Sequence, residues 1–245
     1  TIKDGHRLST SAAFLEPNIQ RPNLHILAYT TATKVLFNNQ NRTSGVEFYR
    51  DGKFYQVNAS KAVIISCNAI NSAKLLLLSG VGPKSDLKSL GIEMIADLPV
   101  GDNFIASPEF GNIGLPASTS PPESYLNIEN LYEYYINGTG PLTNFGGLFT
   151  YIKTKYSESI PDIALITSIR GGFQYVLNAW LLRPESRGTI RLNSTNPFDS
   201  PIVNPNYFSK EIDKSVYYDG LREVFKIARK IREYGLQLVG YGDCK

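Results

Sequence analysis

The sequence predicts a mixed fold in two parts, an α/β part followed by a part in which several strands lie between two helices. First, the unbroken apolar run Ala-Val-Ile-Ile-Ser over residues 62–66 leads directly into a helix, which is typical of a buried strand in a nucleotide-binding sheet. Second, Asp51-Gly52 lies between two alternating runs and predicts a β-hairpin. Third, Gly, Pro, Ser and Asn dominate residues 100–125, which indicates a crossing between domains.

The elements of the first part follow from local start and stop signals. In order, we expect a helix over 9–15, strands over 24–29, 30–37, 45–50, 53–57 and 62–66, a helix to residue 79, and a short helix over 84–90. Asn71 or Ser72 can cap the helix that ends at residue 79, and Gly80 and Gly82 terminate it. Pro17 stops the first helix.

The second part has its own order of elements. We expect a Tyr-rich helix over 128–135, strands over 148–154, 162–169, 175–182 and 188–192, a polar connection over 193–205, and a final helix. Asp213 caps that final helix, and Val216, Leu221 and Val224 fall on one broad apolar face.

Composition excludes several classes of function. The formal net charge is +3 and no dense Lys/Arg cluster occurs, so a nucleic-acid partner has little electrostatic support. No apolar run approaches the ~20 residues that a membrane span requires. The chain has 2 His and 2 Cys, which argues against a His-based metal site or catalytic triad and against a disulfide framework. Cys67 and Cys244 are either unpaired thiols or pair with residues outside the chain.

Four Asn-x-Ser/Thr sequons occur, at Asn41, Asn58, Asn137 and Asn193. This number exceeds the chance expectation and favours a secreted or extracellular glycoprotein. The sequence opens at Thr1 in the middle of a pattern and without Met, so we expect a fragment that is incomplete at both ends.

Residues 68–83 read Asn-Ala-Ile-Asn-Ser-Ala-Lys-Leu-Leu-Leu-Leu-Ser-Gly-Val-Gly-Pro, directly after the run over 62–66. This segment resembles the second signature of the glucose-methanol-choline (GMC) oxidoreductases. Further blocks that resemble the family follow its order, among them residues 4–11, 22–27, 33–37, 45–48, 96–103, 140–143, 183–192 and 201–207. The residues in these blocks are most similar to those of insect members that are glucose dehydrogenase-like or ecdysone oxidase-like.

The resemblance implies a flavoprotein oxidoreductase that oxidises CH–OH groups of alcohols or sugars by hydride transfer to FAD. Residues 1–107 would form part of a Rossmann-like α/β FAD-binding domain. Residues 108–245 would form an α+β substrate domain with an antiparallel sheet. The implied partner is a small alcohol, sugar or steroid, and neither the substrate, the electron acceptor nor the oligomeric state can be read from the sequence.

The resemblance also assigns candidate cofactor-binding residues. Val35 lies where the family's strand offers backbone hydrogen bonds to the adenine, and Cys67, Asn68, Ala69 and Ser72 lie in the turn near the dinucleotide. Backbone N–H groups at such a turn suit an anionic cofactor. The alternative for Val35 is a core strand residue, and the alternative for Ser72 is a helix cap.

Several family features are missing or altered. A GxGxxG loop is absent from the chain, and the family's catalytic His with its partner is expected beyond Lys245. We therefore assign no catalytic residue and no metal ligand. The isolated chain is expected to be inactive. The family's Ala-Gly before the signature helix reads Cys67-Asn68 here, and its Asp-His after Asn103 reads Ala106-Ser107. Whether the parent is an enzyme therefore stays open, and the alternative is a catalytically silent relative that acts as a secreted binding protein.

Overall fold

The structure is a computed structural model, and it describes residues 2–116, 127–143, 148–170 and 174–232. Cys244 lies outside the described residues, so the expectation about its pairing is not addressed by the structure.

Thirteen strands and four α-helices occur in the described residues. The strands are β1 (Ile2–Lys3), β2 (His6–Arg7), β3 (Thr31–Phe37), β4 (Thr43–Arg50), β5 (Lys53–Asn58), β6 (Val81–Gly82), β7 (Ala96–Asp97), β8 (Glu109–Pro116), β9 (Leu148–Ile152), β10 (Ile163–Arg170), β11 (Gln174–Leu181), β12 (Thr189–Arg191) and β13 (Ile202–Asn204). The helices are α1 (Asn68–Leu78), α2 (Lys84–Ser89), α3 (Ile128–Tyr132) and α4 (Glu211–Arg232). Short π-helical turns cover Ser11–Leu15 and Glu133–Asn137.

The chain divides into two compact units, and each unit is discontinuous in sequence. The first consists of residues 26–106 and 184–210, and the second of residues 1–25, 107–183 and 211–245. The crossings between the units fall after residues 25, 106, 183 and 210. The division of the chain into domains of residues 1–107 and 108–245 stays a prediction. Residues 184–210 join the first unit because β12 packs on α1, a contact that no local sequence signal indicates.

The first unit is built on an antiparallel sheet with the strand order β3-β4-β5. Arg50 pairs with Lys53 across Asp51-Gly52, so the predicted two-residue hairpin is confirmed. Both turn residues have positive φ, +48° for Asp51 and +81° for Gly52, which is the geometry that favours Asp-Gly in this type of turn. Helix α1 packs on β3, with Val35, Leu75 and Leu77 buried.

The prediction of a buried strand over residues 62–66 is wrong for the structure as described. No strand is assigned between β5 and α1, and the side chain of Ile64 is 87% exposed. A parallel strand needs a neighbour to bond its N–H and C=O groups, and none of the described residues pairs with this segment. The apolar composition predicts burial correctly only where a partner strand is present.

Several other strands and helices differ from the predicted ones in their presence or in where they begin. Residues 24–29 contain no strand, since Tyr29 has a left-handed φ of +55° that an extended strand does not accommodate. Helix α1 begins at Asn68, three residues before the expected cap at Asn71. Asp213 lies inside α4 rather than before it, because the helix begins at Glu211.

The second unit is built on an antiparallel sheet with the order β8-β11-β10-β9. Helix α4 packs on β10 and β11 and buries Val216, Tyr217 and Val224, and the Tyr217 hydroxyl donates a hydrogen bond to the carbonyl oxygen of Ala179 (3.3 Å). The predicted strands that correspond to β9, β10 and β11 are therefore confirmed, with bounds that shift by one or two residues.

Gly220 allows α4 to approach the sheet closely. A Cβ at this position would lie 2.7 Å from Cγ1 and 2.9 Å from Cδ1 of Ile163, whose side chain is fully buried. Ile163 is β-branched and packed on all sides, so it cannot turn away at low cost. The glycine in the middle of this helix is therefore a packing requirement.

We expect Gly220→Ala to destabilise the protein by about 1 kcal/mol. Overpacking costs about 1–3 kcal/mol, while the better helix propensity of Ala returns about 0.5–1 kcal/mol. Thermal denaturation of the full-length protein measures the effect. In an Ile163→Ala background the same substitution should become neutral or stabilising, and an equal loss in both backgrounds would contradict the proposed contact.

Candidate functional site

A pocket of about 270 Å³ lies between the start of β3 and the first turns of α1. Its lining residues are Thr30, Thr31, Ala32, Cys67, Asn71, Lys74, Leu75, Leu78 and Pro197. All of them belong to the first unit. The pocket combines apolar walls with a few polar groups, the mixture that is typical of small-molecule sites.

Lys74 supplies a half-buried positive charge at this pocket. Its Nζ donates a hydrogen bond to the carbonyl oxygen of Pro197 (2.6 Å), which is 123 residues away in sequence. This bond fixes the position of the ammonium group and leaves it two further N–H donors. The pocket wall is therefore suited to an anionic or hydrogen-bond-accepting ligand.

Asn68 is the first residue of α1, and its backbone is in the left-handed region with a φ of +63°. Asn tolerates this region better than other residues with a Cβ, so the turn keeps a glycine-like path. The Asn68 Oδ1 atom accepts hydrogen bonds from the backbone N–H groups of Ile70 and Asn71, each at 3.0 Å. These two groups are among the first donors of the helix, which a bound anion would otherwise use.

Ser72 completes the same turn from within the helix. Its Oγ atom accepts a hydrogen bond from the backbone N–H of Cys67 (3.1 Å). The side chains of Asn68 and Ser72 thus satisfy three backbone donors at the start of α1, in the manner of a reciprocal cap. The thiol of Cys67 is free and exposed.

Val35 lies away from this pocket, in the core between β3 and the end of α1. It is 2% exposed, and its backbone N–H donates to the Ser79 Oγ atom (2.8 Å). Ser79 in turn donates to the carbonyl oxygen of Leu75 (2.5 Å). The Val35 N–H is therefore already bonded within the protein, which matches the core-residue interpretation. Its contact with a cofactor stays a prediction.

Of the predicted cofactor residues, Cys67 is the one that lines the pocket, while Asn68, Ala69 and Ser72 build the adjoining turn. The other lining residues, among them Ala32, Asn71, Lys74 and Pro197, were not predicted as cofactor-binding residues. Residues 67, 71, 74 and 78 recur at the spacing of one helix face, so this pattern in the sequence could have identified Asn71, Lys74 and Leu78. Pro197 comes from a distant segment and has no local signal.

A second polar cluster surrounds Arg191. Its Nε atom lies 2.7 Å from the Asp86 carboxylate, and its guanidinium also pairs with Asp102 and donates to the carbonyl oxygen of Gly101 (3.2 Å). Asp102 is thus an ion-pair partner of Arg191. Arg191 connects α2, the turn at residue 101 and β12. Arg191 compensates the charge of Asp86, although the buried Oδ2 atom of Asp86 has no hydrogen-bond partner among the described residues.

The two His residues have different surroundings. The Nδ1 atom of His6 lies 3.0 Å from the Tyr134 hydroxyl, and His25 is exposed. Within residues 2–116, 127–143, 148–170 and 174–232, no group of three or more His, Cys, Asp or Glu side chains converges to hold a metal ion. In the same ranges, no helix has both the length and the apolar character that crossing a bilayer requires.

The pocket can be tested against FAD, the cofactor that the sequence predicts. A volume of about 270 Å³ holds one moiety of a dinucleotide rather than the whole cofactor. The left-handed backbone at Asn68 and the ammonium of Lys74 fit a polar, anionic ligand. The N–H groups of Ile70 and Asn71 fit it only after Asn68 Oδ1 is displaced.

Comparison with protein families gives two matches. The N-terminal GMC oxidoreductase model matches residues 1–109 and the C-terminal model matches residues 184–241, which together cover more than half of the chain.

Curated relatives agree with these matches. Mitochondrial choline dehydrogenase of Mus musculus is 32% identical over 94% of this chain, ecdysone oxidase of Bombyx mori is 33% identical over 87%, and an acceptor-dependent alcohol dehydrogenase of Pseudomonas putida is 34% identical over 91%. The chain spans 41%, 36% and 44% of these proteins, respectively.

Solved structures support the fold. A formate oxidase of Aspergillus oryzae, a FAD protein, superposes with a TM-score of 0.80 at 21% identity, over 93% of this chain and 47% of its own. A fungal aryl-alcohol oxidase gives a TM-score of 0.75 at 18% identity, over 98% of this chain and 51% of its own. These neighbours confirm the predicted fold class, and the two family models establish that the chain belongs to the GMC oxidoreductase family.

Proposed function

We propose that the chain is part of a FAD-dependent oxidoreductase that oxidises the CH–OH group of an alcohol, a sugar or a steroid. The observation that supports this most directly is the pocket between β3 and α1, in a chain of the GMC family. The names of the relatives include an acceptor-dependent alcohol dehydrogenase, a choline dehydrogenase and an ecdysone oxidase, which all suggest a hydroxyl-bearing substrate.

In this proposal FAD supplies the hydride acceptor, and the residues of this chain supply binding and electrostatics. The Lys74 ammonium, fixed by the carbonyl oxygen of Pro197, places a positive charge beside the anionic dinucleotide. The first turn of α1 adds the positive end of the helix dipole, and the N–H groups of Ile70 and Asn71 become available once Asn68 Oδ1 is displaced. The side chains of Leu75 and Leu78 form the apolar wall.

The visible absorption of the purified full-length protein tests the proposal. We expect flavin bands, and we expect them to bleach anaerobically when the protein's alcohol substrate is added, since hydride transfer reduces the flavin. A full-length protein that lacks flavin bands, both as isolated and after incubation with FAD, would exclude the proposed activity.

Substitutions of Asn68 are expected to shift the affinity for FAD in opposite directions. Asn68→Gly frees the N–H groups of Ile70 and Asn71 without changing the backbone preference, and we expect tighter binding, by about tenfold, from helix-dipole and hydrogen-bond terms that together reach about 1.4 kcal/mol. Asn68→Asp keeps the cap but adds a negative charge, and we expect weaker binding.

Fluorescence titration of the apoprotein with FAD measures both variants. The substitution Lys88→Ala, on the exposed side of α2, is a matched control that should leave the affinity unchanged. Equal affinities for the Gly and Asp variants would show that the start of α1 does not contact the cofactor.

A second candidate function is a catalytically silent GMC relative that acts as a secreted binding protein. Asn68 favours it, because its carboxamide already occupies two helix N–H groups that an anionic cofactor would use. The replacement of the family's Asp-His by Ala106-Ser107 also favours this candidate. Steady oxidation of any alcohol by the full-length protein, with an artificial electron acceptor, would eliminate this candidate.

A further inference from the structure

Strand β5 presents an unusually exposed edge. All six of its residues are exposed, and among the described residues it pairs with β4 alone, which leaves its outer edge without a partner. The apolar side chains of Phe54 and Val57 are 55% and 53% exposed. An exposed apolar edge strand is a template for pairing with other chains, and proteins usually protect such an edge.

Protection by packing is incomplete on this strand. The ring of Phe54 contacts Tyr49 and Phe198 at centroid distances of 5.1 and 6.4 Å, and the ring of Tyr55 stacks on Phe48 at 5.5 Å. These contacts lie on the two faces of the hairpin, and the backbone edge of β5 has no partner strand among the described residues. Lys53 is the sole charged residue of β5 and lies at its beginning. The apolar residues near the end of the strand therefore have no charged neighbour within it.

Asn58 ends this strand and begins the sequon Asn58-Ala59-Ser60. Its side chain is exposed and makes no hydrogen bond to any residue in the described ranges. By strand alternation, Asn58 projects to the same face as Gln56 and Phe54. A substituent on Asn58 would therefore extend beside the exposed ring of Phe54.

The other three sequons do not combine an exposed Asn side chain that makes no hydrogen bond with a position on an unpaired strand edge. Asn41 has a left-handed φ of +56°, and its Nδ2 atom donates to the carbonyl oxygen of Ile95 (3.4 Å). Asn137 ends a π-helical turn, and Asn193 lies in a connection after β12. None of the three is on an unpaired strand edge. The free carboxamide on an extended backbone distinguishes Asn58 from Asn41 in particular.

We propose that Asn58 is an N-glycosylation site whose glycan shields the edge of β5. The co-substrate is a polyprenyl-diphosphate-linked oligosaccharide. The Asn58 carboxamide nitrogen forms a bond to the anomeric carbon, the bond from that carbon to the diphosphate oxygen breaks, the lipid diphosphate leaves, and one amide proton passes to a base. No change in oxidation state occurs. The modification is independent of flavin binding, so its failure leaves the proposed function untouched.

The test uses the full-length protein with its own N-terminus, expressed in insect cells. Glycosidase release in ¹⁸O-water converts a glycosylated Asn into a labelled Asp, which peptide mass spectrometry identifies. We expect the label at Asn58, its loss in Ser60→Ala, and its retention in Ser60→Thr, which keeps the sequon. Light scattering should show several-fold faster aggregation for Ser60→Ala than for Ser60→Thr, and likewise for the enzymatically deglycosylated protein.

An unlabelled Asn58 overturns the proposal, whether or not the other three sequons are labelled. Equal aggregation rates for the two Ser60 variants overturn the shielding role, and native deglycosylation checks this without any substitution. Because Ser60 is exposed and makes no hydrogen bond within the described residues, a folding defect should not separate the two variants.

Discussion

Replacing Asn68 with alanine is expected to lower the free energy of unfolding by about 2–3 kcal/mol. Two effects add. Loss of Oδ1 leaves the N–H groups of Ile70 and Asn71 without their acceptor, a cap loss of about 1 kcal/mol. In addition, the φ of +63° places the alanine Cβ in the left-handed region, at about 1–2 kcal/mol. Chemical denaturation of the full-length protein, or the shift in its thermal midpoint, measures the sum.

Two further substitutions separate these effects. Asn68→Asp retains an acceptor at the same position and should stay within about 0.5 kcal/mol of the parent, with some compensation from the helix dipole. Asn68→Gly loses the acceptor but relieves the backbone, and should lose only a few tenths of a kcal/mol. If the Ala and Gly variants were equally stable, the left-handed conformation of residue 68 would be refuted.

Ser79→Ala is expected to destabilise the protein by about 2 kcal/mol, although it removes a single oxygen atom. That oxygen joins two elements, since it accepts from the Val35 N–H at 2.8 Å and donates to the carbonyl oxygen of Leu75 at 2.5 Å. Both Ser79 and Val35 are 2% exposed, so water cannot replace the lost acceptor. An unsatisfied buried N–H costs about 1–3 kcal/mol.

Hydrogen exchange gives this prediction a local measurement. The Val35 amide should exchange much faster in Ser79→Ala than in the parent, while amides on β5 should not change selectively. Ser89 is a matched control, because its hydroxyl donates to the carbonyl oxygen of Asp86 (2.7 Å) near the end of α2 but is exposed. Ser89→Ala should lie within about 0.5 kcal/mol of the parent. A comparable loss in both variants would contradict the role of burial.

The sequence predicted correctly those strands and turns that short stretches of neighbouring residues determine. The Asp51-Gly52 turn fixes the hairpin because both residues accept positive φ. The predicted strands that correspond to β10 and β11 form because each of them has a partner strand on both sides. The prediction of a strand over residues 62–66 was wrong because it depends on partners that are distant in sequence. The apolar side chains of this segment indicate burial, but strand formation also requires backbone partners, which the described residues do not provide.

The sequence likewise predicted only the part of the candidate site that neighbouring residues determine. The turn at Cys67 and Asn68 is encoded locally, and the structure places it at the pocket. Family resemblance favoured Val35 on β3, whereas the β3 residue at the pocket is Ala32. A β-bulge lies between them, since Ala32 pairs with Phe48 and Lys34 with Glu47, which leaves Thr33 without a counterpart. Such a bulge changes which residues face a site, and no pattern in the strand sequence announces it.

The discontinuity of the first unit has a consequence for synthesis. Its earlier part ends at residue 106, and its later part, with β12 and the Pro197 carbonyl that binds Lys74, begins at residue 184. At a translation rate of about 5–20 residues per second, the ribosome needs several seconds to make the intervening segment. During that interval β3 and α1 have been made but β12 and Pro197 have not, so the nascent chain exposes the surface of α1 that β12 covers in the folded protein. We therefore expect this stretch of translation to be the period of greatest dependence on chaperones.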